Sequence, residues 1–143
     1  MSPVHFTVPG QPQGKGRPRI GRVAGHARMF TPEKTANYES MVALFAHQAM
    51  QGRPLLAGPV AVALELVQAI PASWSKVKRV RAENGEIFPT TKPDIDNTTK
   101  AIFDAINGVV WVDDVQVVSL TARKSYGAAP RVCVAVNPME VQP

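Results

Sequence analysis

The side chains able to do chemistry crowd into one string, KPDIDNTTKAIFDAINGVVWVDDVQVV, from Lys92 to Val118. All five aspartates of the chain lie there: Asp94, Asp96, Asp104, Asp113 and Asp114. Asp94 and Asp96 are two apart in a stretch that Pro93 keeps extended, so their carboxylates point to the same side. A helix begins at or next to Asp96, which places both acids beside its N-terminus. Along that helix Asp96, Lys100 and Asp104 follow one another at four-residue spacing, opposite an apolar face of Ile102, Phe103, Ala105 and Ile106. Asn107-Gly108 turns the chain and delivers Asp113 and Asp114 to the start of a strand that can return toward the same helix end.

Ionised carboxylates gathered in one place repel unless a cation or a proton joins them. Hard oxygen donors without nearby His or Cys select Mg²⁺ or Mn²⁺ rather than zinc. Such an ion, shared with a substrate phosphate, is what phosphodiester hydrolysis requires, and Lys100 would add positive charge to the same oxyanion. The reading is therefore a metal site of Asp94, Asp96, Asp113 and Asp114 with Lys100 beside it. Asp104 is set aside, because it lies two turns from the helix end. Singly, these residues have plainer roles: Asp96 as an N-cap, Asp104 as an exposed partner of Lys100, Asp113-Asp114 as a turn. Their convergence in a basic chain favours the metal site.

Stepping from this string to the elements that must position it, VHFTVP reads as a first strand ending at Pro9, followed by a long Gly- and Pro-rich loop through residue 28. Thr31-Pro32-Glu33 signals the start of a helix that runs to about Gly52, with Met41, Val42, Leu44, Phe45 and Met50 apolar. PVAVALELVQAI alternates Val60, Val62, Leu64 and Leu66 on one face and reads as a strand. SWSKVKRVRAENG is a short basic helix ending at Gly85, Asp96 to Asn107 a third helix, and VQVVSLTARK and RVCVAVN two closing strands. This order predicts a single α+β domain over residues 1–143, with a mixed sheet packed by helices.

Sixteen Lys and Arg against eleven Asp and Glu give a net charge of +5, which suits a polyanion. The first 32 residues hold no acidic side chain, while Lys15, Arg17, Arg19, Arg22 and Arg28 succeed one another. Lys15, Arg17 and Arg19 are expected to clamp a nucleic-acid backbone. The lone Cys133 excludes a disulfide framework and reads as a buried strand residue. His5, His26 and His47 lack metal-ligand spacing. GQPQGKG departs from a P-loop: three residues separate Gly10 from Gly14, and glycine follows Lys15, so no nucleotide cofactor is expected. No strand carries the acid-x-Lys pair of restriction-enzyme-like nucleases. No apolar run suits a membrane, and the start MSPVHFTVPG lacks the basic region and apolar stretch expected of a secretory signal, so a cytoplasmic location is expected.

The pattern PDIDNTTKAIFDAING followed by WVDD and VQVV resembles the core of the RusA family of Holliday-junction resolvases, common in prophages and phages. GKGRPR and the helix after Thr31 are similar in order and type, so the resemblance covers most of the chain. It implies that Asp94, Asp96 and Asp114 are essential metal-binding aspartates and Lys100 the essential lysine, with Asp113 and Asn97 matching accompanying positions. It also implies a homodimer that nicks two opposing strands of a four-way DNA junction with Mg²⁺, in recombination and repair. A near two-fold junction is most simply cut in pairs by two symmetry-related sites. The chain departs from the best-known type in carrying TTKP where consecutive arginines precede the first aspartate, and in the extra basic segment Lys76 to Arg81. Two other readings differ in what they would do: a non-catalytic nucleic-acid-binding module would bind DNA without cutting it, and a related metal nuclease would act on flaps or single strands.

Overall fold

The computed structural model describes residues 2–16, 19–23, 25–30 and 33–139, with side chains left out at 19–23 and 26–30. Its main sheet has four strands, β1 (Val4–Pro9), β4 (Val60–Ala69), β5 (Val117–Gly127) and β6 (Arg131–Pro138), in the order β1-β6-β4-β5. β6 pairs antiparallel with both β1 and β4, whereas β4 and β5 run parallel. A parallel pair needs a long crossover. Here it carries α2 (Lys76–Glu83) and α3 (Ile95–Ile106), which is how the acidic string comes to lie beside the sheet. The architecture is the α+β domain with a mixed sheet that the sequence pattern predicts.

One face of the sheet is buried. Alternate residues Val4, Phe6 and Val8 of β1, Val60, Val62, Leu64 and Leu66 of β4, and Val132, Val134 and Val136 of β6 form the core. Helix α1 (Glu33–Met50) packs on β1 and on α3, burying Tyr38, Val42, Ala46 and Met50, a stripe at i, i+4 spacing. Cys133 lies in β6 but between the core valines, so it faces the open side of the sheet and is only half-buried, contrary to the buried position expected. The period-2 alternation of a strand allows no other outcome once Val132 and Val134 point inward.

The segment expected as a continuous loop holds a second, two-stranded sheet, β2 (Arg19–Val23) and β3 (His26–Phe30). Val23 pairs with His26, so two residues connect the strands, and Gly25 adopts φ 79°. A two-residue hairpin needs positive φ, which glycine supplies. The surrounding Gly and Pro mask the signal in the sequence. Thr31 and Pro32, read as the helix start signal, lie outside the described residues. Among the described residues no helix is long and apolar enough to cross a membrane.

The turn after α3 is the best anchored part of the crossover. Trp111 is fully buried, its ring set edge-on to Phe103 and its Nε1–H donating to Asn107 Oδ1. Leu56 N–H donates to Val110 O at 2.7 Å, and Gly108 N–H donates to Trp111 O at 2.7 Å. Trp111→Ala should therefore cost ~3–5 kcal/mol of unfolding free energy, the usual range for emptying a buried aromatic site. Urea unfolding followed by circular dichroism measures this; a loss below about 1 kcal/mol would show that the turn is not anchored by the ring.

Candidate active site

Helix α3 fixes the acidic string because its opposite face has one place to go. Thr98, Thr99, Ala101, Ile102 and Ile106 are buried, so Asp96, Asn97 and Lys100 are left exposed on the outer stripe. Asp94 is the N-cap, with extended backbone (φ −79°, ψ 159°), and its carboxylate makes no capping bond to the helix. Both Asp94 and Asp96 are thus open carboxylates at the positive end of a helix dipole.

Asp113 and Asp114 are placed by Gln116. A 3₁₀ turn, Asp114–Gln116, precedes β5, and Asp113 caps it by accepting from Asp114 N–H at 2.8 Å. Gln116 Oε1 accepts from Val112 N–H at 3.0 Å and Asp113 N–H at 3.3 Å. Its Nε2 donates to Leu56 O at 2.9 Å and Gly58 O at 3.0 Å. One side chain therefore ties the acidic turn to the segment before β4. Sequence reasoning passed over Gln116, although a Gln three residues after an Asp is the signature of a capping box.

Burial pushes the Asp114 carboxyl above its ordinary value, and the Asp113 and Asp104 carboxylates push it the same way, against the pull of Lys100. Asp104, set aside on sequence grounds, thus belongs to the electrostatic neighbourhood of Asp114. It is paired with two lysines, Lys15 at 3.0 Å and, more loosely, Lys100 at 3.8 Å. Lys100 is 63% exposed, whereas Lys15 is 19% exposed and also bonded to Glu39 Oε1. Lys15, expected at the DNA backbone, faces these two carboxylates. Arg17 lies outside the described residues, and Arg19 is described by its backbone in β2.

The loop bearing Lys15 runs against the start of α3. Lys15 N–H donates to Asn97 O at 3.0 Å and Gly16 N–H to Thr35 Oγ1 at 2.9 Å. A Cβ on Gly14 would come within 3.1 Å of Asn97 Cβ and 3.4 Å of Pro93 Cβ, so glycine allows the close approach.

The donor set is all oxygen, and the crowding around Asp114 is the imbalance a divalent cation relieves, so the chemistry of these residues fits Mg²⁺. Among the described residues no three such side chains are gathered tightly enough to enclose an ion by themselves. A cation with few protein ligands and a shell completed by water and phosphate is the ordinary Mg²⁺ arrangement.

An α+β scaffold that presents carboxylates and an exposed lysine along one helix, in a chain of net charge +5, has the makings of a phosphodiester-cleaving protein. The model of the family described as Endodeoxyribonuclease RusA matches residues 9–137, and the chain belongs to that family. The chain is thus an enzyme of the endodeoxyribonuclease class, and membership implies action on branched DNA as a Holliday-junction resolvase. It is also similar to the uncharacterized protein YqaN of Bacillus subtilis (strain 168), 39% identical over 139 residues that cover 96% of this chain and 97% of the relative.

The raised Asp114 carboxyl has a stability consequence. A carboxyl that holds its proton more tightly folded than unfolded loses stability as pH rises from the ordinary value of 3.8 through the higher folded value. Asp114→Asn should therefore raise the Tm at pH 7, and the gain should vanish as pH falls below 3.8, where both states of the native protein are protonated. Thermal unfolding in metal-free buffer across that range tests it. A Tm at pH 7 equal to or below that of the native chain would refute the crowding.

Proposed function

We propose that the protein is a Mg²⁺-dependent endonuclease that resolves four-way DNA junctions by paired nicks, acting as a homodimer in recombination and repair. The observation that carries this is helix α3, which leaves Asp94 open at its N-terminus and Asp96 and Lys100 exposed on its outer stripe, in a chain of the RusA family. Asp94, Asp96 and Asp114 would hold the ion, with Asp113 beside them; Mn²⁺ would fit the same oxygens. When bound, the ion supplies an activated water and positive charge at the scissile phosphate.

The chain's own residues do the rest. Asp94 and Asp96, at the dipole-positive end of α3, are open to solvent and so are available to a ligand. Lys100, one turn further on, is mostly exposed and is held only loosely, at 3.8 Å from Asp104, so its ammonium can meet a phosphoryl oxygen without breaking a hydrogen bond. Arg17 and Arg19, on the basic N-terminal segment, would hold the DNA backbone, a contact that gives affinity without reading sequence. Two copies would supply the two sites that paired nicks need.

Cleavage of a mobile four-way junction, a flap and a linear duplex of matched sequence, each with and without Mg²⁺, tests the reading. Selective, Mg²⁺-dependent cutting of the junction is expected. Preference for the flap would make the protein a different branch nuclease, and binding without cutting of any substrate would make it a non-catalytic module. Asp94→Asn or Asp96→Asn should abolish cutting and keep junction affinity, because each removes a ligand and reduces repulsion of phosphate. Wild-type rates in either would remove that residue from the site. Lys100→Met should lower single-turnover cleavage at saturating Mg²⁺ by ~10²-fold or more, the scale of one preorganised electrostatic contact. Full recovery at high Mg²⁺ would leave Lys100 as a mere counter-charge to the carboxylates.

A further inference from the structure

The loop between β1 and β2 carries a lysine whose placement is unusual for a residue of a polyanion-binding segment. Lys15 turns inward, and its ammonium is shared between Glu39 of α1 and Asp104 of α3. Its backbone is fixed to α3 by the bond to Asn97 O, and the next residue is fixed to α1 through Thr35. Three partly buried groups, 19%, 21% and 30% exposed, thus form one charge-assisted network across two helices and a loop.

Asp104 is where this network meets the active site. Its other cation is Lys100, at 3.8 Å and four residues earlier on the same helix. An exposed i, i+4 pair of this kind is weak. Lys15 offers Asp104 a shorter bond, 3.0 Å, in a less solvated place. While Lys15 is present, the charge of Asp104 is met mainly from the far side, and Lys100 stays at 3.8 Å, beyond hydrogen-bond length. Without it, Asp104 is a partly buried carboxylate whose nearest cation is Lys100. The cost of an uncompensated carboxylate would then draw that ammonium back along the helix.

We propose that Lys15 is a positioning residue for Lys100: by holding Glu39 and Asp104 together it keeps the Lys100 ammonium from closing onto Asp104, so that it stays available to the scissile phosphate, and it makes no phosphate contact itself. The inference rests on the role given to Lys100 above.

Three measurements on the full-length protein test it. In Lys15→Met, single-turnover cleavage of a four-way junction at saturating Mg²⁺ should fall by ~10-fold or more, as small displacements of a catalytic group do. Adding Asp104→Asn should restore most of the rate, because the carboxylate that captures Lys100 is gone. The slope of log junction affinity against log salt should stay at the wild-type value; a phosphate clamp would make it shallower by roughly one unit. Labelling of the Lys100 amine by a small acylating reagent, read by mass spectrometry, should fall in Lys15→Met and recover in the double variant, with no cleavage required.

A wild-type rate in Lys15→Met, a loss that Asp104→Asn does not restore, a shallower salt slope, or unchanged Lys100 labelling would each overturn the proposal. If the methionine variant does not fold, Lys15→Gln removes the charge while keeping a hydrogen bond, and the same outcomes apply. Lys100→Met, run alongside, separates the two ideas. Undiminished cleavage there defeats the catalytic role of Lys100, while the labelling result still decides whether Lys15 sets its position.

Discussion

The burial of one face of α3 is the constraint on which the rest depends. Ala101, Ile102 and Ile106 are fully buried, and Trp111, just beyond the helix, is buried with them. Between these anchors the chain has no freedom to rotate, so Asp96 and Lys100 must face outward and the acidic turn must follow at a fixed place. The same packing brings α1 against α3, and with it Glu39, the second carboxylate on Lys15. A site built on a helix whose back is locked into a core holds its geometry better than one built on loops.

That rigidity has an electrostatic cost. Asp114 is partly buried, and the charges of its neighbour Asp113 and of Asp104 act on it, so its own charge is disfavoured by its surroundings. A fold selected for stability alone would replace one of these acids with an amide. Gln116 spends both ends of its side chain on backbone groups around the turn and so holds the two carboxylates where repulsion would otherwise part them. Structure that stabilises an unfavourable arrangement is the mark of a place where charge is needed for function.

Much of this is legible in the residues themselves. The strand alternations of VHFTVP and RVCVAV, the apolar stripe of α3, and the order of the main-sheet strands and helices follow from periodicity alone and are found as read. The hairpin β2–β3 was hidden because its strands are five residues long and embedded among Gly and Pro. Asp104 was undervalued for a different reason. Helical spacing measures distance along one helix, but its neighbours Lys15 and Asp114 arrive from a loop and a turn elsewhere in the chain. Lys15 carried the same ambiguity: in a run of cations without acids, composition points to a polyanion, and only packing reveals which of them has carboxylate partners within the fold.

Lys15 and Asp104 join the loop before β2 to the face of α3 that carries Lys100. Arg17 follows Lys15 by two positions, and Arg19 opens β2, so the cations assigned to the DNA backbone are tethered to the lysine that meets Asp104. Gly14 and Gly16 flank Lys15, and both touch the helices through atoms a larger residue would displace or a backbone bond that fixes the loop. Because the Lys100–Asp104 pair is weak and solvent-exposed, a small change in how fully Lys15 satisfies Asp104 is enough to alter where the Lys100 ammonium rests. On the proposed reading, substrate engagement and the electrostatics of cleavage would meet at one carboxylate, on the stretch of α3 that the core holds still.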